Sequence, residues 1–122
     1  MGEVVDKITI LQIKEKHILD DKKLKYVREE LRILSGQLEQ KDVKVPPHLF
    51  KQLRKINQEL WDTEDIIRSL EAQNKFDEEF IEHARLDAKL NDERFLVKNK
   101  INNHCNSLIK EQKSYDGLYT AD

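Results

Sequence analysis

One cysteine, three glycines and two prolines in 122 residues leave the chain with few of the usual devices for turns and crosslinks. Cys105 stands alone, so no disulfide forms within the chain, and the composition fits a reducing compartment. Scarce Gly and Pro argue against a β-rich fold with many tight turns. The longest apolar run, ITILQI, is far too short to span a bilayer, and the start MGEVVDKITI lacks the basic and small-residue parts of a signal peptide. Met1-Gly2 resembles a myristoylation start, but Asp6 stands where Ser or Thr belongs. Basic charge is not in excess either: 22 Lys and Arg against 24 Asp and Glu give a net charge of −2. That removes the general electrostatic argument for binding nucleic acid or an anionic membrane. The expected location is the cytoplasm.

What the chain does have is charge and regularly spaced apolar residues, each class making up 38%. Such a composition, poor in Gly and Pro, is that of long amphipathic helices rather than of a disordered chain. The length suits one domain with one modest core. Four helices are expected, over about 3–19, 21–40, 47–73 and 77–113, followed by an irregular tail over 114–122.

In the first segment Val4, Val5, Ile8, Leu11, Ile18 and Leu19 share a face, while Ile10 and Ile13 lie opposite, beside Asp6 and His17. A helix apolar on both sides is buried on both sides. The β-branched run ITILQI leaves a strand open as the alternative. Asp6 is expected to neutralise a basic neighbour. Asp20-Asp21 offers an N-cap for the second helix, whose seam Leu24, Val27, Leu31, Leu34 and Leu38 has coiled-coil spacing. Pro46-Pro47 bars helical backbone before it and suits the first turn of a third helix. That helix carries the seam Leu49, Leu53, Ile56, Leu60, Thr63, Ile67 and Leu70. Asp77 can cap the fourth helix, with Phe76 stapled onto Ile81.

The fourth helix shows two stripes. One holds Phe80, His83, Asp87, Leu90, Arg94, Val97, Ile101, His104 and Leu108; the other holds Ala84, Ala88, Asn91, Phe95, Cys105 and Ile109. Two stripes need two neighbours, and the short first helix cannot cover so long a fourth one. The expected architecture is therefore an all-α antiparallel bundle completed by dimerisation. A monomeric bundle with the fourth helix broken near Asn91 is the alternative.

The segments GEVVDKITILQIK, REEL, LWDTED, NDER and KEQKSY occur in order over nearly the whole chain. In them the sequence resembles a bacterial and phage family of small helical proteins, a domain of unknown function. Gln112 replaces an acidic residue of the last motif. The resemblance implies a helical fold and carries no catalytic residue.

Signatures of chemistry are sparse. No phosphate-binding GxxxxGK[ST] or GxGxxG loop is present, and no HExxH or Glu-x-x-His. Cys105 and His104 are neighbours on a helix and point about 100° apart, which suits a structural cysteine better than a nucleophile. Charge, however, is unevenly spread: residues 59–93 hold 12 acidic and 4 basic residues, whereas the flanking segments are net basic. Within that stretch Glu59 and Asp62 on the third helix, and Glu79 and Glu82 on the fourth, are spaced to hold Mg²⁺ or Mn²⁺ if they face each other. That would make a metal-dependent hydrolase of a nucleotide or other phosphorylated substrate. A solvated acidic face is the plainer account. The ladder His83, Asp87, Asn91, followed by Arg94, stacks on one side of the fourth helix, with Trp61 expected nearby. It is either a register-fixing polar network or a pocket for an anionic or sugar-like ligand. Nucleic-acid binding through Lys22, Lys23, Lys25, Arg28 and Arg32 ranks lower. The favoured reading is a non-enzymatic helical interaction protein, a homodimer without a cofactor.

Overall fold

In the computed structural model, which describes residues 1–41 and 44–117 and side chains as far as residue 106, four helices follow one another. They are α1 (Gly2–His17), α2 (Asp21–Glu39), α3 (Pro47–Ala72) and α4 (Glu78–Gly117). No strand occurs among the described residues, and the fold is an all-α bundle. The ITILQI segment lies inside α1. No helix is long and apolar enough to cross a membrane among the described residues.

Local chemistry sets the ends of the elements. The Asp20 carboxylate accepts hydrogen bonds from the backbone N–H groups of Lys22 and Lys23, at 2.9 and 3.0 Å, and caps α2. Pro46 is extended, with ψ at 129°, as Pro47 after it requires, and α3 begins at once. At the other end of α3, Asn74 takes a left-handed φ of 54°. There Lys75 N–H reaches the Leu70 carbonyl and Asn74 N–H reaches that of Glu71, a Schellman turn. Asparagine tolerates that conformation better than most side chains. Phe76 then sets its ring edge-on to Phe80, with centroids 5.3 Å apart, and Ile81 stays exposed rather than stapled beneath it.

α3 and α4 form an antiparallel hairpin, and α1 lies against both of them while α2 packs along α1. This explains the two apolar sides of α1. Val5 enters the main core with Leu49, Leu53, Ile56, Leu60, Leu90, Val97, Ile101 and Cys105. The side turned to α2 carries Glu15, whose carboxylate lies 3.8 Å from Arg28 of α2. Of the α2 seam only Val27 is buried outright; Leu24, Leu31, Leu34 and Leu38 are half-buried, because α1 is their main support.

Two expectations on the elements, and one alternative, need correction. α1 stops at His17, and Leu19, expected on its buried face, is 91% exposed in the link to α2. α4 runs unbroken past Asn91 and past Lys113 to Gly117, about 60 Å at 1.5 Å per residue. Residues 114–117 are therefore helical rather than irregular. The side chains of Leu108 and Ile109 and residues 118–122 lie outside the described part. α1, at about 24 Å, covers only part of the hairpin.

Candidate functional site: a buried polar junction and the pocket beside it

Where α1 crosses the hairpin, the packing admits four polar side chains that are nearly or fully buried. Asp6 and Thr9 come from α1, Asn57 and Thr63 from α3. The first three form one network. Asp6 Oδ1 accepts from Asn57 Nδ2 and from Arg94 Nε, each at 2.9 Å, and Asp6 Oδ2 accepts from Arg94 Nη2 at 2.5 Å. Asn57 Nδ2 also donates to Thr9 Oγ1 at 2.8 Å, and the Thr9 hydroxyl donates to the Asp6 backbone carbonyl at 2.8 Å. Lys98, one turn beyond Arg94, lies 3.8 Å from Asp6 Oδ2 and pairs with Glu3.

Burial alone would push the Asp6 carboxyl up. The hydrogen bonds from Arg94 and Asn57, with the charges of Arg94 and Lys98, outweigh it and hold the group below its ordinary value. The hydrogen bond to Asp6 likewise raises Arg94. A charge buried this deeply is tolerable only when paired and hydrogen-bonded, and each oxygen of Asp6 is.

The junction also fixes how closely α1 meets α4. Gly2 N–H donates to Asn102 Oδ1 at 2.7 Å. A Cβ on Gly2 would sit 2.7 Å from the Lys98 backbone carbonyl oxygen, so a hydrogen there permits the contact.

Beside the junction, where α1 nears its end, lies a cavity of about 190 Å³. Ile10, Ile13 and Lys14 line it from α1, Asn57, Leu60, Trp61 and Glu64 from α3, and Arg94 from α4. The Trp61 indole is half-buried and stacks on His17 at 5.3 Å between centroids, with the rings 16° from parallel. Glu64 faces Asp87. Partial desolvation and the neighbouring Asp87 carboxylate push the Glu64 carboxyl above its ordinary value, against a smaller pull from Arg68 and Arg94. Asp87 Oδ1 is buried with no hydrogen-bond partner among the described residues.

The expected site residues therefore separate. Trp61 and Arg94 do share a cavity. Asp87 and Asn91 bond to each other: Asn91 Nδ2 donates to the Asp87 backbone carbonyl at 3.0 Å and lies 3.4 Å from its Oδ2. His83 Nδ1 lies 2.8 Å from the Glu79 carbonyl of its own helix. A continuous His83–Asp87–Asn91–Arg94 network does not form, because both arms of Arg94 that would continue it point to Asp6. For the same reason Arg94 is not a free fork for an anion.

The acidic residues considered for a metal do not gather either. Glu59, Asp62, Glu79 and Glu82 are all exposed, and Asp62 accepts from Gln58 one turn earlier on α3 at 3.1 Å. Among the described residues no three His, Cys, Asp or Glu side chains are placed to hold a metal ion together. Cys105 is buried, and burial raises its thiol, offset slightly by the nearby N-terminal charge. A neutral buried thiol of this kind is a packing group.

Sequence reasoning missed Thr9, Asn57, Lys98 and Glu64. Asn57 carried a faint signal: an amide flanked by Ile56 and Leu60 on a helix whose neighbours are core.

A junction that ties α1, α3 and α4 together should extend over the whole chain as one unit, and a family model does match residues 1–121. The chain belongs to the family of unknown function DUF6165. No curated protein and no solved structure matches it. In this DUF6165 chain the hydrogen bonds among Asp6, Thr9, Asn57 and Arg94 tie α1 to both α3 and α4.

Proposed function

We propose that the chain is a non-enzymatic helical interaction protein that acts as a homodimer in the cytoplasm of a bacterium or of a phage-infected cell. The observation that carries this is the mismatch in helix length. α1 and α2 cover one end of the α3–α4 hairpin and leave Ile66, Ile81 and Leu86 exposed along the rest, while Phe95 and Leu96 are exposed on sides of α4 that α1 does not cover. Scattered apolar residues are ordinary on a surface. Most of the large exposed apolar side chains among the described residues lie on this hairpin, and apolar surface grouped in this way supports an interaction site. The bacterial or phage setting rests on the sequence motifs and on 16 Lys against 6 Arg; the cytoplasm rests on a lone buried cysteine.

Light scattering over a range of micromolar concentrations tests the reading. The expected mass is about twice 14.5 kDa. A monomer mass throughout overturns it. The hydrolase alternative, through Glu59, Asp62, Glu79 and Glu82, is tested in the same preparation. Melting that shifts upward with Mg²⁺ or Mn²⁺, and no longer does so in Glu79→Ala, would replace the interaction reading.

A further inference from the structure

This inference rests on the homodimer reading and specifies its interface. On α4, Ile81, Ala84, Ala88 and Phe95 fall within about 60° of one another at 100° per residue. They lie on a side turned away from the face where Leu90, Val97 and Ile101 meet the core. All four are exposed, Ile81 by 55% and Phe95 by 61%. The arrangement has a centre. Ala88 stands seven residues from Ile81 and seven from Phe95, about 10.5 Å along the axis in each direction. A two-fold axis through Ala88 therefore brings Ile81 of one copy onto Phe95 of the other, twice, while the two Ala88 methyl groups meet at the axis.

Charge points the same way. Arg85 and Asp92 lie on the same flank of the stripe, about 4.5 and 6 Å from Ala88 on opposite sides. Both are exposed, and neither makes a salt bridge among the described residues. An antiparallel pairing about Ala88 sets each Arg85 beside the other copy's Asp92. A parallel pairing puts this flank on opposite edges of the contact in the two copies, so Arg85 and Asp92 meet no opposite charge across it. Closed two-fold assembly requires a patch complementary to itself, and this patch is so in the spacing of its apolar residues and in its charge.

We infer that two copies associate through an antiparallel α4–α4 contact centred on Ala88. Large side chains close the ends of the contact, alanines allow the helices to approach at its middle, and two Arg85–Asp92 pairs set the direction. Interfaces of this kind use charge to select orientation more than to add affinity.

The experiment is a charge-reversal cycle read by sedimentation or light scattering, with circular dichroism confirming the fold. Arg85→Asp places like charges at both symmetric positions and is expected to weaken dimerisation at least about tenfold. Arg85→Asp combined with Asp92→Arg is expected to restore it. As a second readout, Ala88→Cys in a Cys105→Ala background is expected to form a disulfide-linked dimer on mild oxidation, since Cα atoms about 4.4–6.8 Å apart can be bridged. A parent chain that is monomeric overturns the homodimer reading, and this interface with it. A dimeric parent that ignores Arg85→Asp and does not crosslink at position 88 overturns this interface alone.

Discussion

Arg94 of α4 holds Asp6 of α1 by two parallel hydrogen bonds across 88 residues of chain. The acceptor is 2% exposed and the donor 29%. Bringing such a pair out of water costs several kcal/mol per ion, so the pair adds little net stability over apolar residues of the same shape. Removing one partner is different, because the other charge is left without compensation. Asp6→Ala is expected to lower unfolding free energy by about 3 kcal/mol, the low end for a buried pair since Arg94 keeps some access to water. Asp6→Leu with Arg94→Met is expected to recover most of that loss. Urea denaturation of the single and double variants measures both; additive losses would show that the two residues act separately.

The pH dependence follows from the direction of the Asp6 shift. Its folded carboxyl is held below the ordinary value by Arg94, Asn57 and Lys98, against the opposing effect of burial. Its contribution is therefore present above the unfolded pKa and is lost as pH falls through the folded one. Wild type is expected to lose stability on acidification more steeply than Asp6→Asn. Denaturation midpoints from neutral to acid pH check this, and parallel curves would contradict it.

Much of this arrangement is readable from residue spacing, and some is not, for identifiable reasons. The α2 cap at Asp20 and the Pro46-Pro47 break depend on a few adjacent residues, so sequence suffices. The two apolar sides of α1 foretell a helix sandwiched between others. Leu19 was misplaced because extending the same spacing two residues too far puts it on the wrong side of the α1 end. Asp6 reads as a paired charge and Arg94 as part of a ladder on α4, but that the two pair with each other depends on where α1 crosses α4. That crossing is set in part by Gly2, which in sequence is only a glycine near the start. Thr9 and Asn57 are legible only after that crossing is known.

Gly2 supplies a sharper test of the crossing. An added Cβ would lie 2.7 Å from the Lys98 carbonyl oxygen, a backbone atom that cannot swing aside, and 3.0 Å from Asn102 Oδ1. Gly2→Ala therefore has to push the start of α1 off α4, despite the better helix propensity of alanine. A loss of about 1–3 kcal/mol is expected, the usual cost of overpacking. Thermal melts read it; a variant as stable as the parent would mean that α1 meets α4 less closely.

Glu64 and Asp87 set two carboxyls against each other between α3 and α4. The Glu64 carboxyl is raised first by partial desolvation and then by the Asp87 carboxylate beside it. A raised carboxyl favours the folded state below its unfolded pKa and loses that advantage as pH rises through the folded value. This trend is opposite to that of Asp6. Glu64→Gln removes the repulsion while keeping a hydrogen-bond donor for Asp87. It is expected to raise the melting temperature at neutral pH, with the gain fading under acid conditions. A melting temperature that falls at neutral pH would show that Glu64 serves as a charged partner to Arg68 or Arg94 instead.

The stacked rings of His17 and Trp61 mark the edge of the cavity at the C-terminal end of α1. Trp61 is the sole tryptophan, so its emission reports this place alone. His17 covers one face of the indole from the last residue of α1, where a helix end frays most readily. His17→Ala is expected to leave the core intact, since the residue is exposed, and to open the indole to water. The measurable consequences are a red shift of Trp61 emission and faster quenching by iodide, with unchanged helical circular dichroism. Unchanged emission would mean that Ile10, Ile13 and Leu60 shield the indole on their own, and that the end of α1 contributes nothing to closing the cavity.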